Sequence, residues 1–296
     1  MPLSPLIRLG TSTWTYAGWQ GQVYTRAYPK SKFSQLCLEE YAQYTYQGDT
    51  LFHCVGNDST FYRPPTVNQL RRYAAQVPED FEMCCKVWEE ITIPAFARHE
   101  RYGSKAGHPN PRFLDAELFK NFVLAPYRDA QFERHSGPFI FEFQRHSIPA
   151  EQFLSRLHDF FAQLPSDFRY AVEIRNSGLL GPRYHDILAT HGVAHVYNHW
   201  SYMPRLVEQH VRMGGFTAPF TVLRLLTPLD LSYEAAKKRA EPYTAIVGEL
   251  PEMRADTAAL VRQAIGENRK AYVLVNNRAE GNAPLTVQGL VALLRT

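Results

Sequence analysis

The sequence predicts a single α/β domain over residues 1–296, folded as a (β/α)8 barrel of the TIM type. Short apolar runs alternate with helical stretches along the whole chain, which indicates a parallel sheet. Runs such as 139–141 and 272–275 are continuously apolar, as expected of strands that are covered on both faces. A doubly wound open sheet is the main alternative, but no Gly-x-Gly-x-x-Gly motif follows the first strand.

The predicted strands are apolar runs bounded by polar or glycine-containing turns. They are Leu6–Gly10, Thr50–Val55, Phe81–Val87, Pro138–Phe143, Arg169–Ile174, Val193–Tyr197, Thr221–Leu226 and Ala271–Val275. The predicted helices between and after them are Phe33–Gln47, Val67–Gln76, Phe113–Phe132, Pro149–Leu164, Arg183–Thr190, Ser201–Met213, Ser232–Val247, Glu252–Ile265 and Thr286–Leu294. A polar insertion at about 94–112, after strand three, is rich in Gly, Pro and His and predicts a loop.

Composition narrows the class of protein. Hydrophobic residues make up 45% of the chain and charged residues 21%, which is ordinary for a globular domain. The net charge of +3 is too small to predict nucleic-acid binding by itself, so a nucleic-acid partner has only weak support. Neither a signal-peptide pattern nor a run of ~20 apolar residues is present, so we expect a cytoplasmic protein without a membrane partner.

No metal or cofactor motif stands out. The four cysteines and the histidines lack the spacings of common metal sites, and there is no phosphate-binding loop of the Gly-x-x-x-x-Gly-Lys type. We therefore expect no metal ligands and no cofactor.

Charged residues near the ends of predicted strands indicate where a site would lie. In a barrel of this kind, active sites occupy the carboxyl ends of the strands. Glu173 and Arg175 are two residues apart and share one face of strand five, where two charges must be paired or solvated. Lys86, Glu142 and Arg224 occupy matching parts of other strands. This pattern predicts a polar, cationic pocket, and a structural ion network is the alternative.

Several segments carry a resemblance to a known family. The segments Gly10–Trp14, Ser59–Pro64 and Ala171–Arg175, together with Asn276-Asn277, resemble those of the YecE-like family (domain of unknown function 72), and the match covers most of the chain in order. The resemblance implies a barrel. Trp14, Thr60 and Tyr62 lie in or beside these segments and join the candidate ligand-binding residues.

The chain departs from the usual pattern of that family. Members usually carry an acidic residue where Gly56 stands, Asn where Asp58 stands, His at Asn176 and Trp at Leu179. The ligand of this chain therefore need not be the ligand of other members.

The main functional hypothesis is an enzyme that acts on an anionic or phosphorylated, hydroxyl-rich small molecule. Lys86, Arg175 and Arg224 would bind the anion through charge-assisted hydrogen bonds, and Glu173 or Glu142 would be the acid or base. Asn276 and Asn277 would orient hydroxyl groups, and Asp58 is a further candidate ligand-binding residue. The stretch 98–112 would form a basic lid.

Two alternatives remain open. The first is a metal-dependent phosphodiesterase or DNA-repair barrel of the endonuclease IV type, which rests on fold analogy and would need a dense set of His, Asp and Glu ligands. The second is a non-catalytic barrel that binds a ligand in the same pocket.

Overall fold

A computed structural model describes residues 3–295. Within that range, eight parallel strands form one sheet, here numbered β1 to β8 in chain order. They are β1 Ile7–Thr11, β2 Cys54–Asn57, β3 Glu82–Lys86, β4 Ser136–Phe143, β5 Tyr170–Ile174, β6 Ala194–His199, β7 Phe220–Leu225 and β8 Lys270–Val275. The chain is thus an α/β barrel of the TIM type, as the sequence predicts.

Neighbouring strands in the sequence are neighbours in the sheet, and β8 pairs in parallel with β1. The remaining gap, between β1 and β2, is bridged by a hydrogen bond of 2.9 Å from the His53 amide to the Leu9 carbonyl. A Cβ added at Gly10 would lie 2.1 Å from the Cys54 carbonyl oxygen, so only glycine permits this close approach. Gly56 is similarly confined, because an added Cβ would lie 2.9 Å from the Ser12 carbonyl.

Helices cover the outside of the barrel. The α-helices are Phe33–Leu36, Leu38–Ala42, Val67–Ala74, Glu89–Thr92, Ala116–Leu118, Ala125–Asp129, Ala150–Phe161, Pro182–Thr190, Leu206–Met213, Tyr233–Ala240, Pro251–Gly266, Asn277–Glu280 and Ala283–Arg295. A π-helical turn, Phe119–Leu124, joins two of them. It precedes Pro126, which has no N–H to continue regular α-helical bonding.

The strands separate two apolar regions. The larger one lies between the barrel and its helices, and a smaller one fills the barrel interior with Cys54, Cys84, Ile140, Val196, Leu274 and their neighbours. Cys84 belongs to the interior and the adjacent Cys85 to the outer region, because successive side chains of a strand point to opposite faces.

Three predicted helices are too long. Helix in the predicted Phe33–Gln47 ends at Ala42, and the chain then forms a short hairpin in which Thr45–Tyr46 pairs with Asp49–Thr50, around two residues of positive φ, Gln47 and Gly48. The predicted helix Ser201–Met213 begins only at Leu206. The predicted helix Ser232–Val247 ends at Ala240, two residues before Pro242, because the residue preceding a proline disfavours the helical conformation.

Candidate functional site

Five charged side chains from four strands meet inside the barrel near its carboxyl end. Lys86 ends β3, Glu142 lies in β4, Glu173 lies in β5 with Arg175 just after it, and Arg224 lies in β7. Their side chains are at most 5% exposed, except that of Lys86 at 14%. Alternation along the strands places them on the inner face, so the charges must satisfy one another or a ligand. We call these five residues the charge cluster.

Glu142 is the central carboxylate of the charge cluster. Its Oε2 lies 2.9 Å from Lys86 Nζ and 3.1 Å from both Arg175 Nη2 and Arg224 Nη1, and its Oε1 accepts a hydrogen bond from Gln144. Burial alone would raise the pKa of Glu142, but the positive charges of Arg175, Lys86 and Arg224 outweigh it and hold this pKa well below its usual value. Glu142 is therefore ionised at neutral pH and is a weak base in the free protein.

Glu173, the most deeply buried member of the charge cluster, contacts both arginines. Its Oε1 lies 2.6 Å from Arg175 Nη2, and its Oε2 accepts a hydrogen bond from Arg224 Nη1. Arg224 also donates through Nη2 to Asp58 Oδ1 at 3.1 Å. Burial would lower the pKa of Arg224, yet the carboxylates of Glu173, Asp58 and Glu142 raise it, so this guanidinium stays charged.

The charge balance depends on Asp58. The charge cluster contains three cations and two carboxylates, and Asp58 is the third carboxylate in contact with it. The side chain of Asp58 is 42% exposed, whereas those of Glu142 and Glu173 are buried. A solvent-accessible carboxylate thus neutralises a buried core whose own net charge is +1.

Donor groups of the two arginines remain unused. The Nε and Nη1 of Arg175 and the Nε of Arg224 are buried and make no hydrogen bond to any residue in 3–295. A buried N–H without a partner costs about 1–3 kcal/mol, and more when it belongs to a charged group. These donors are the strongest local indication of a polar ligand.

Aromatic rings flank the cations. The guanidinium of Arg175 lies 4.0 Å from the ring centre of Trp200, and Lys86 Nζ lies 4.2 Å from that of Phe61. Both contacts are within the range of cation–π attraction. Nothing in the sequence indicates which cation a given ring will contact, so neither pairing could be predicted.

The other residues predicted for the site lie around the charge cluster rather than in it. Thr60 is buried and donates to the carbonyls of Asn57 and Lys86, both at 2.7 Å, so it fixes the loop after β2. Tyr62 is 62% exposed, and Arg101 lies 5.4 Å from its ring centre. Trp14 is buried in the core and donates from Nε1 to the Ser34 carbonyl at 3.2 Å, away from the charges.

Asn276 and Asn277 follow β8 and use their side-chain oxygens locally. Asn276 Oδ1 accepts from the Arg278 amide at 3.0 Å, and Asn277 Oδ1 accepts from the Ala283 amide at 2.9 Å. Both residues line a cavity of about 140 Å³ at the carboxyl ends of β1 and β8, together with Ser12, whose Oγ is buried and makes no hydrogen bond within residues 3–295. The cavity is lined by residues at the end of β8, and β8 pairs in parallel with β7, with Leu274 opposite Arg224. The cavity therefore lies next to the strand that carries Arg224.

The insertion after β3 is tied to the two glutamates that follow that strand. Arg101 lies 2.8 Å from Glu89, and Lys105 lies 2.5 Å from Glu90. A short 3-10 segment, Glu100–Lys105, interrupts the stretch that the sequence predicts as a loop. Two cations of the insertion are thus already neutralised, which reduces the positive electrostatic potential that the insertion can add at the charge cluster.

The described part of the chain contains no obvious metal centre: no group of three or more His, Cys, Asp or Glu side chains in residues 3–295 is placed to hold a metal ion. His195 is buried beside Tyr184 and Gln209, and burial lowers its pKa to about 3. His199 is bonded through Nδ1 to the Thr227 carbonyl at 2.8 Å.

Within residues 3–295, none of the helices is long and apolar enough to cross a membrane.

Comparisons with known proteins agree on one family. A family model described as "Protein of unknown function DUF72" matches residues 8–296. A crystal structure of a DUF72 family protein from Enterococcus faecalis V583 is similar at a TM-score of 0.70 and 17% identity, covering 98% of this chain and 96% of that chain. A DUF72 family protein from Thermotoga maritima MSB8 is similar at a TM-score of 0.64 and 18% identity, covering 98% and 99%. No curated protein matches significantly. At these identities the solved structures support the fold alone.

Proposed function

Because the chain belongs to the DUF72 family, whose description assigns no reaction, we propose a function from its own site: an enzyme that acts on a small anionic, hydroxyl-bearing molecule at the carboxyl end of the barrel. The observation that carries the proposal is the set of buried, unused donors on Arg175 and Arg224, beside a carboxylate that solvent can reach, Asp58. A phosphate or carboxylate is the ligand class that guanidinium groups bind best.

Binding would begin with an exchange of anions. The ligand's anionic group takes the place of Asp58 on Arg224 and accepts hydrogen bonds from Arg175 and Lys86. Asp58 can be displaced more easily than Glu142 or Glu173, since its side chain is 42% exposed and theirs are at most 4% exposed. The hydroxyl-bearing part of the ligand extends toward the cavity lined by Ser12, Asn276 and Asn277.

Glu142 is the better of the two candidate proton acceptors. In the free protein its three cationic partners keep its pKa low. An anion bound to Lys86 and Arg224 shares those cations and adds negative charge nearby, and both effects raise the pKa of Glu142. The base thus becomes stronger only when the ligand is present.

Glu173 is then a positioning residue. It is fully buried and contacts both Arg175 and Arg224, so it fixes the two guanidinium groups relative to each other. A side chain without solvent access and with two arginine partners is poorly placed to exchange protons with a ligand.

The binding step is tested by calorimetric titration with sn-glycerol 3-phosphate, with glycerol as the uncharged control. Lys86→Met should weaken binding about tenfold, because one charge-assisted bond is lost. Asp58→Asn should tighten binding several-fold, most strongly at low salt, since it removes the competing carboxylate. Asp49→Asn is the matched control: Asp49 is also exposed and paired with an arginine, Arg295, but lies in the hairpin outside the barrel.

Two results would contradict the binding proposal: no saturable binding by the wild-type protein, or an equal response of Asp58→Asn and Asp49→Asn. Turnover is tested separately. A pool of hydroxyl-bearing phosphates and carboxylates is incubated with protein in D2O and followed by NMR. We expect a time-dependent change that Glu142→Gln abolishes. Saturable binding without any chemical change in the pool would contradict the enzyme proposal and favour a non-catalytic, ligand-binding barrel.

A further inference from the structure

A second charged cluster closes the opposite, amino-terminal end of the barrel. Glu82, at the start of β3, lies 2.6 Å from Arg169 Nη2, 3.3 Å from Lys270 Nζ and 3.5 Å from Arg8 Nε. The Tyr272 hydroxyl donates to the same carboxylate at 3.0 Å. Three cations therefore converge on one buried carboxylate.

The positive charge in this second cluster is only partly compensated. Arg8 has a further partner, the exposed Asp80, at 3.2 Å. Counting Glu82 and Asp80 against Arg8, Arg169 and Lys270 leaves one positive charge. The Nε of Arg169 is buried and makes no hydrogen bond within residues 3–295, and the Lys270–Glu82 contact is long for a charge-assisted bond.

A cavity of about 610 Å³ opens beside this cluster, between the amino ends of β5 to β8. Its volume falls in the range of small-molecule sites. The lining is mostly apolar and aromatic, including Phe161, Phe168 and Phe220. The charged side chains among its described lining residues are Arg169 and Lys270, and burial lowers the pKa of the remaining titratable base, His191, so that it is neutral at pH 7.

We infer that this amino-terminal cavity binds a small amphiphilic anion, namely an aromatic carboxylate. The carboxylate pairs with Lys270 and Arg169, whose charge exceeds that of Glu82, and the ring lies against Phe161, Phe168 and Phe220. The site is independent of the carboxyl-end site proposed above, because the two clusters occupy opposite ends of the strands: Lys270 begins β8, and Arg224 is the penultimate residue of β7.

The test uses 1-naphthaleneacetate as probe and its uncharged amide, 1-naphthaleneacetamide, as control, with binding measured by calorimetry. The wild-type chain should bind the acid saturably at one site and at least tenfold more tightly than the amide. Lys270→Met, which keeps the length of the side chain, should weaken acid binding about tenfold. Ala162→Trp should abolish it by filling the cavity from an exposed lining position without removing any charge.

Lys237→Met is the matched control, because it removes a lysine that is paired with Glu241 on an outer helix, away from both charged clusters, and it should leave naphthaleneacetate binding unchanged. The inference is overturned if the wild-type protein shows no saturable binding, if acid and amide bind equally, or if Lys237→Met weakens binding as much as Lys270→Met. Failure of glycerol phosphate to bind would count against the carboxyl-end proposal alone.

Discussion

Replacing Arg224 by Met should destabilise the protein more than any exposed ion pair could. The side chain of Arg224 is 4% exposed and contacts three carboxylates, of which Glu173 is fully buried. Removing it leaves two cations and two carboxylates in the buried core, deprives exposed Asp58 of its partner in the charge cluster, and leaves buried Glu173 with Arg175 as its cationic partner. Removing one partner of a buried ion pair costs about 3–5 kcal/mol, out of a typical total stability of about 5–15 kcal/mol.

Urea denaturation at pH 7 measures this cost. Arg128→Met is the matched control. Arg128 makes three hydrogen bonds to Asp167, but both side chains are about half exposed, so we expect a cost of less than about 1 kcal/mol. The double variant Arg224→Met/Glu173→Gln should cost less than the sum of the two single variants, because Arg224 and Glu173 contact each other. A cost of about 1 kcal/mol or less for Arg224→Met would refute the reasoning, as would strictly additive costs in the double variant.

Three further predictions concern pH, the insertion and metals. Burial lowers the pKa of His195 to about 3, so the unfolded chain takes up this proton first as the pH falls. The free energy of unfolding therefore falls as the pH is lowered from about 6.5 to about 3, by at most ~1.4 kcal/mol per pH unit for this group. Chemical denaturation of His195→Gln should show a flatter dependence of this free energy on pH. An unchanged dependence would contradict the argument from burial. Replacing both Arg98 and Arg112 by Gln should weaken binding of glycerol phosphate at low salt while Tm barely changes, and unchanged binding would exclude a lid function. Arg101 and Lys105 are left in place because they pair with buried Glu89 and Glu90. Elemental analysis of the purified protein should find no stoichiometric zinc or manganese, and a stoichiometric metal would favour the phosphodiesterase alternative.

The barrel could be predicted because each of its strands leaves a local pattern in the sequence. Largely apolar runs predict all eight strands within a few residues, since each strand has helices on one face and the barrel interior on the other, which leaves few polar positions. The hairpin formed by Thr45–Tyr46 and Asp49–Thr50 could not be predicted because its two-residue strands are too short to show alternation, and Gln47 stands at the end of an apparently helical pattern.

The charged residues could be predicted as a group but their pairing could not. Glu173 and Arg175 stand out because two charges on one face of a central strand require partners. Which partner each finds depends on the register between strands, which the sequence does not reveal. For the same reason the amino-terminal cluster could not be predicted. Glu82, Arg169 and Lys270 stand at the beginnings of apolar runs, where a charge is usually solvated, and only the closed barrel brings them together.

The central claim is that the carboxyl-end charge cluster binds a small anion, and a crystal structure of the protein soaked in sn-glycerol 3-phosphate tests it most directly. We predict electron density for the phosphate within hydrogen-bond distance of Arg175 and Arg224, with Asp58 turned away from Arg224. A phosphate found elsewhere on the molecule, with the Arg224–Asp58 pair still intact beside an unchanged charge cluster, would contradict the claim.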